Sequence, residues 1–457
     1  MSANFPESSP ADYFPPIIKW RDDIADEPST PFGDGSDFPR NCKTRPLRVT
    51  LDVSALTSPD HRAVAQAFFE FRESSLLALR INDPRLPGGV SVPAITDDLP
   101  GHHYLHVQVQ EAGRTFNVNL MTVGEMKDIL DRYGLQGSRA QLALASFHQG
   151  WRGDLLVTAD LALHELAKRV GYLGLNVVTP TVGLRLFGLL LRYHEKFIIR
   201  AKPNFIIGRW PFYWSLARQR LPGFWRYFSA CQDCSDKTIG RAAGSILHRA
   251  ARALEARDFV GYENYGPASH DSADRSAYHF DYLLLLLTGA LDAMALVART
   301  AYGIQVRNRD ASFRRDAFRK HLATAGAQSI LDWLDLQTNA DTLGVLYDLR
   351  NLIHGAGLQH VQGALFEIPS DLKPLIPKIR QICPDTTCVS RNGTYLKHYP
   401  LALALAERTL SIMDGIAERT DVPRLLPPGK TLPAACLTVP RDDLFSGPQA
   451  ERISALG

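Results

Sequence analysis

Cysteine is scarce in this chain, six in 457 residues. The opening MSANFPESSP has neither a basic n-region nor an apolar h-region. With no export signal, so few thiols predict a reducing cytoplasm rather than a disulfide framework. Charge of one sign is missing as well. The net is +3, which at this length argues neither for nor against a nucleic-acid partner. No apolar run crosses a bilayer comfortably. The most apolar, Tyr282 to Ala298, carries Asp292 within it and predicts a buried core helix and no membrane partner. Familiar catalytic signatures are absent too. Gly429-Lys430-Thr431 ends like a phosphate-binding loop, but Arg424 stands where the upstream glycine belongs. His194-Glu195 opens like a helical zinc-protease motif, but Ile198 stands where the second histidine belongs. There is no nucleophile elbow, no dinucleotide fingerprint and no internal repeat.

What is present is ordinary globular material, 45% hydrophobic and 22% charged. Residues 1–44 are rich in Pro, Ser and Asp and read as a mobile tail. Residues 45–150 read as a small α+β unit. Arg48 to Val53 is a short strand, and Ser58-Pro59-Asp60 starts a helix with an N-cap, a proline at the first position and an acid in the first turn. HYLHVQVQ (103–110) and TFNVNLM (115–121) predict a β-hairpin, and Thr122 with Glu125 a capping box. Residues 151–235 form a helical segment rich in arginine and aromatics. Residues 236–420 read as a helical bundle, and 421–457 as a second tail. Helical periodicity covers roughly 155–172, 181–201, 237–257, 275–302, 311–336, 341–354 and 400–419. Asn392-Gly393, between Cys388-Val389-Ser390 and Thr394-Tyr395-Leu396, predicts a late hairpin turn. The fold class is therefore mainly α, α+β overall.

Four places hold chemistry. Cys231-x2-Cys234 and Cys383-x4-Cys388 offer four thiolates to a zinc ion, or two pairs of reduced thiols near loops. The loose second spacing and the long separation favour the thiols, so no metal or cofactor is expected. His102 and His106 share one strand face and His103 the other, a pattern that suits ordinary surface histidines. Residues 181–230 hold nine cations against the single carboxylate Glu195, interleaved with aromatics such as Trp210, Trp214 and Trp225. Arg200, Lys202, Arg209, Arg218, Arg220 and Arg226 could line a single-stranded RNA groove, with charge for phosphates and π-faces for bases. Alternatively the aromatics are core and the arginines snorkel outward.

The fourth place is DTLGVLYDLRNLIHGAG, Asp341 to Gly357. At about 100° per residue, Leu343, Tyr347, Arg350 and His354 fall within roughly 60° of one another on the margin of an apolar face. A guanidinium and an imidazole thus lie one turn apart. They admit a structural role at the helix C-terminus, metal-free RNA cleavage, or RNA binding without turnover.

A long apolar helix, followed by Arg350-Asn351 and then His354-Gly355 near the end of a later helix, resembles the HEPN superfamily. Only Asn351, Leu352 and Ile353 intervene here, a shorter spacing than the family's. The resemblance spans about residues 236–420 and implies a helical bundle, metal-independent ribonuclease activity on RNA, and a homodimer whose paired motifs share one cleft. Toxin and phage-defence roles come with the family. It also implies a polar residue from the first long helix, for which Asp292 is the choice. A carboxylate in so apolar a helix needs a partner, and Arg350 would serve.

Overall fold

Leu47–Leu51 (LRVTL) forms strand β1, nearly all of it buried. A strand buried on both faces suits a parallel sheet, and β1 pairs in parallel on both sides. Leu77–Ile81 (β2) flanks it on one side. The other side is taken by a short strand, Leu155–Val157, and Val177–Val178 pairs beyond that. Between β1 and β2 runs α1, Pro59–Glu70, whose N-cap Ser58 accepts a hydrogen bond from the His61 amide. The expected hairpin is present as β3 (Tyr104–Glu111) and β4 (Arg114–Thr122). In chain order Leu155–Val157 is then β5, Leu161–Arg169 is α2 and Val177–Val178 is β6, so the parallel sheet runs β2-β1-β5-β6.

The computed structural model describes residues 46–71, 74–81, 104–111, 114–122, 153–169, 176–200, 205–266, 270–354, 365–367, 370–390, 393–432 and 456–457, together with residues 141, 144, 145 and 148. The N-terminal tail, the Glu125 capping box, His102 and His103 lie outside them, as does the side chain of His106.

The sheet corrects one boundary. The periodicity of 155–172 predicts one helix, yet Leu155–Val157 is strand and only 161–169 is helix. Leu155, Leu156 and Val157 are all fully buried. A strand buried on both faces loses the alternation that distinguishes strand from helix. The N-terminal layer therefore extends past residue 150.

Helix α3, Pro180–Tyr193, joins that layer to the bundle. Its Phe187 ring lies 5.3 Å from Phe71 and 6.1 Å from Phe68. It stops eight residues short of expectation's end at 201, because Glu195 turns left-handed at φ 55°; β7 (Ile198–Arg200) and β8 (Phe205–Ile206) follow. The basic aromatic stretch folds as α4 (Arg209–Arg220) and α5 (Phe224–Asp233). Both pack on α6, Lys237–Tyr265.

Helix α7, His270–Ala301, runs along α6: the Arg249 guanidinium donates to the Gly289 carbonyl, and His279 stacks on Phe259 at 4.5 Å. It is long and apolar enough to span a membrane, but 67% of its most apolar window is buried in protein. The expected helix 311–336 is two, α8 (Asp316–Thr324) and α9 (Gln328–Asp335), broken where Gly326 takes φ +87°. Then come α10 (Gln337–His354), β9 (Leu365–Glu367), α11 (Ile376–Ile382), β10 (Thr387–Ser390), β11 (Gly393–Lys397) and α12 (His398–Arg419). The late hairpin forms with Ser390 opposite Gly393, so Gly393 opens a strand rather than closing the turn. Twelve helices among the described residues make the protein mainly α, α+β overall.

A buried ionic cluster ties these parts together. Asp258 on α6 accepts from Arg192 Nε at 2.6 Å, Arg257 Nη2 at 2.7 Å and the Tyr213 hydroxyl at 3.0 Å. Both arginines reach further. Arg192 donates to the Leu456 carbonyl and Arg257 to the Gly457 carbonyl. Gly188 has no side chain where that Leu456 carbonyl sits, so a larger residue would collide with backbone. The described parts of 421–457 are accordingly packed, with Val422, Leu425 and Leu456 buried, where composition predicts a tail.

Burial alone would raise the Asp258 carboxyl, but the Arg192 and Arg257 guanidiniums outweigh it and hold it below the usual range. Asp258→Ala leaves two buried cations without their shared counter-ion and should cost about 3–5 kcal/mol in chemical denaturation. The sign with pH follows. A depressed carboxyl stabilises fully above its unfolded pKa of about 4 and loses that contribution as pH falls through the folded value. Wild type should lose stability in that acid window, and the variant should lose less there. Equal midpoints for the two proteins at neutral pH would refute the role of the cluster.

Candidate functional site at the crossing of α7 and α10

Helix α10 presents Val345, Leu346 and Leu349 to the core. Tyr347, Arg350 and Asn351 fall toward its margin, where α7 passes with Asp292. The Tyr347 hydroxyl donates to Asp292 Oδ1 at 3.3 Å. Burial pushes the Asp292 carboxyl above its usual range, and the Tyr347 hydroxyl with the Arg350 and Arg249 guanidiniums offsets only part of that. Asp292 as a whole residue is nevertheless exposed, so its carboxyl still meets solvent. Burial and the neighbouring Asp292 raise the Tyr347 hydroxyl in turn, so it stays a donor.

The buried Asp292–Arg350 pair that the sequence predicts is not what forms. Tyr347 lies nearer and takes the carboxylate. Arg350 is half-exposed, and its one hydrogen bond among the described residues goes to Asn351 Oδ1 at 3.4 Å. Arg350, Asn351 and Asp292 are thus neighbours, linked by a field rather than by an ion pair. His354 closes the same helix, with its side chain outside the described residues. The sequence reading missed the partner role of Tyr347, although the helical arc already held that residue. It also missed Arg314, whose guanidinium lies 4.9 Å from the Tyr347 ring centre and pairs with Asp348 at 3.3 Å.

The basic aromatic stretch is mostly core. Phe197, Phe212, Tyr213, Phe224 and Tyr227 are buried. Its arginines are largely committed: Arg209 pairs with Glu255, Arg220 with Glu407 at 3.1 Å, and Arg218 lies over the Trp225 ring at 4.1 Å. Arg226 is exposed, and the side chains of Arg200 and Lys202 lie outside the described residues. Arg218 and Arg220 are therefore turned to a ring face and a carboxylate, while Arg209 keeps contact with solvent beside Glu255. Burying the rings turns the guanidiniums to nearby carboxylates and ring faces instead.

Cys231 and Cys234 are buried free thiols, and Cys383 Sγ lies 3.5 Å from the Pro400 carbonyl. Burial, with Cys234 beside it, pushes the Cys231 thiol up to about 12, the reverse of what a thiolate ligand needs. Among the described residues no cluster of three or more His, Cys, Asp or Glu is placed to hold a metal. The Cys388 side chain lies outside them.

Compared with protein-family models, with curated proteins and with solved structures, the chain gives no match.

The Asp292–Tyr347 bond makes a quantitative claim. Asp292→Ala and Tyr347→Phe should each cost on the order of 1 kcal/mol. Their double variant should cost less than the two losses added, because both remove one hydrogen bond. Strictly additive losses in urea melts would show that the two groups do not interact.

Proposed function

We propose that the α7–α10 face is the working surface of a HEPN-like, metal-independent endoribonuclease that cuts single-stranded RNA in the cytoplasm, as a toxin or in phage defence. The observation that carries this reading is the Arg350 guanidinium, which meets no carboxylate among the described residues. It stands half-exposed beside Asn351, one helical turn before His354, while Asp292 is held by Tyr347. A planar guanidinium outside an ion pair suits a phosphoryl group whose charge grows in the transition state.

The chemistry follows from these groups. The ribose 2′-hydroxyl attacks the adjacent phosphorus and gives up its proton. The bond to the 5′-oxygen breaks, and that oxygen takes a proton. His354 acts as the acid or base in this exchange. Arg350 holds the non-bridging oxygens. The products are a 2′,3′-cyclic phosphate and a 5′-hydroxyl, with no metal required. A homodimer through the bundle belongs to the same reading. Tyr278, Tyr282 and Leu285 on α7 are 66%, 40% and 39% exposed, an apolar strip leading toward Asp292.

Purified protein should cleave single-stranded RNA in EDTA, leave cyclic phosphate ends and spare DNA, which lacks the attacking hydroxyl. His354→Ala should slow cleavage roughly 10²–10⁴-fold with the fold intact. Arg350→Lys should also be impaired, because an ammonium cannot reproduce the guanidinium fork. If wild type cuts no RNA, or His354→Ala cuts as well as wild type, the face is a binding or dimerisation module instead.

A further inference from the structure

Two adjoining hollows open where α4 meets α6, of about 170 and 400 Å³. They share Arg209, Tyr213 and Glu255; Trp210 and Arg252 line the smaller, Phe259 the larger. Their combined size suits a ligand of the nucleotide class. The walls are of two kinds. Trp210 is 38% exposed, with the Arg252 guanidinium 5.8 Å from its ring centre. Arg209 lies 6.0 Å from the Phe259 ring centre. Trp214 and His248 pack on the Trp210 ring at 5.1 and 4.8 Å, and the part of the indole that stays exposed, beside cations, offers a surface for base stacking.

The charges are unequal. Arg209 and Arg252 both pair with the one buried carboxylate of Glu255, from opposite oxygens. In the smaller hollow one carboxylate between two guanidiniums leaves a positive excess, while a second carboxylate, Glu195, lines the larger; both arginine side chains keep contact with solvent, at 46% and 36% exposure. An arriving phosphate can bond to either guanidinium while Glu255 holds it in place. Here exposed guanidiniums and a partly exposed indole lie together.

We propose that this cleft binds a nucleotide unit, its base stacked on Trp210 and its phosphate held by Arg209 and Arg252. The unit comes either from a free mononucleotide or from a single strand of RNA; the shared chemistry is an aromatic base joined to a phosphate. The site is separate from the α7–α10 face, and its binding does not depend on cleavage.

The test is titration of the full chain, by calorimetry at low salt, with adenosine 5′-monophosphate, adenosine, inorganic phosphate and an oligoadenylate RNA. Adenosine monophosphate or the RNA should bind at least about tenfold more tightly than adenosine or phosphate alone, since stacking and charge each contribute. A tighter RNA complex identifies the strand as the source, and a tighter mononucleotide complex the free ligand. Trp210→Ala and Arg252→Ala should each weaken that complex about tenfold or more while melting like wild type. Arg350→Lys should leave it unchanged, which separates failure of this site from failure of the nuclease reading. No binding of mononucleotide or RNA at millimolar concentration, or binding unaltered by Trp210→Ala, overturns the proposal.

Discussion

The Asp258 cluster is the constraint on which the architecture depends. One carboxylate on α6 accepts from α3 through Arg192, from α4 through Tyr213, and from its own helix through Arg257. The same two arginines hold the carbonyls of Leu456 and Gly457. Taking three charges out of water is costly, and their attraction compensates only when every donor finds an acceptor. That condition fixes where α3 and α4 stand against α6. It also requires glycine at position 188, since backbone from the far end of the chain occupies the space beside it. Hydrophobic packing of α6 on α7 tolerates sliding by small amounts; a satisfied buried ion cluster does not.

This requirement explains why several arginines of the middle stretch turn to carboxylates. A helix that buries Phe212 and Tyr213 and caps a charged cluster must aim its neighbouring cations at the same wall. Arg209 and Arg252 therefore converge on Glu255, and Arg220 and Arg257 on Glu407. Positive charge counted along the chain overstates positive charge available to a ligand. What decides availability is the number of carboxylates each guanidinium can reach in three dimensions.

Legibility followed sequence range. The start of α1 could be read from Ser58-Pro59-Asp60 because capping is local chemistry. The hairpins β3–β4 and β10–β11 and most bundle helices could be read too, since alternation and 3.6-residue spacing survive wherever one face stays wet, but the short antiparallel pair β7–β8 was not read. Leu155–Val157 could not, because a strand buried on both faces shows no alternation. The parallel pairing of β1 with β5 joins residues a hundred apart and leaves no local mark. Gly326 could have split the helix expected over 311–336, since a glycine within helical periodicity is a C-cap signal when its neighbours allow it. At the site, Arg350, Asn351 and Asp292 were legible as neighbours, while the partner of Asp292 was not. One helical arc contained both Tyr347 and Arg350, and only three-dimensional reach decides between them.

That choice of partner has a chemical consequence. Arg192, Arg209, Arg220, Arg252, Arg257, Arg275, Arg314 and Arg319 all meet a carboxylate. Many guanidiniums of this bundle thus pair with a carboxylate. Had Arg350 taken Asp292 directly, the pair would have neutralised itself and offered little to an anion. Tyr347 prevents this by donating to the carboxylate from the same helix, one turn earlier. A neutral hydroxyl satisfies the acceptor without cancelling any positive charge. Asp292 still lies close enough to hold the guanidinium in the neighbourhood by its field, and not so close as to bind it. Position without full neutralisation leaves a guanidinium charge to offer an anion, which a one-to-one ion pair with a carboxylate largely cancels.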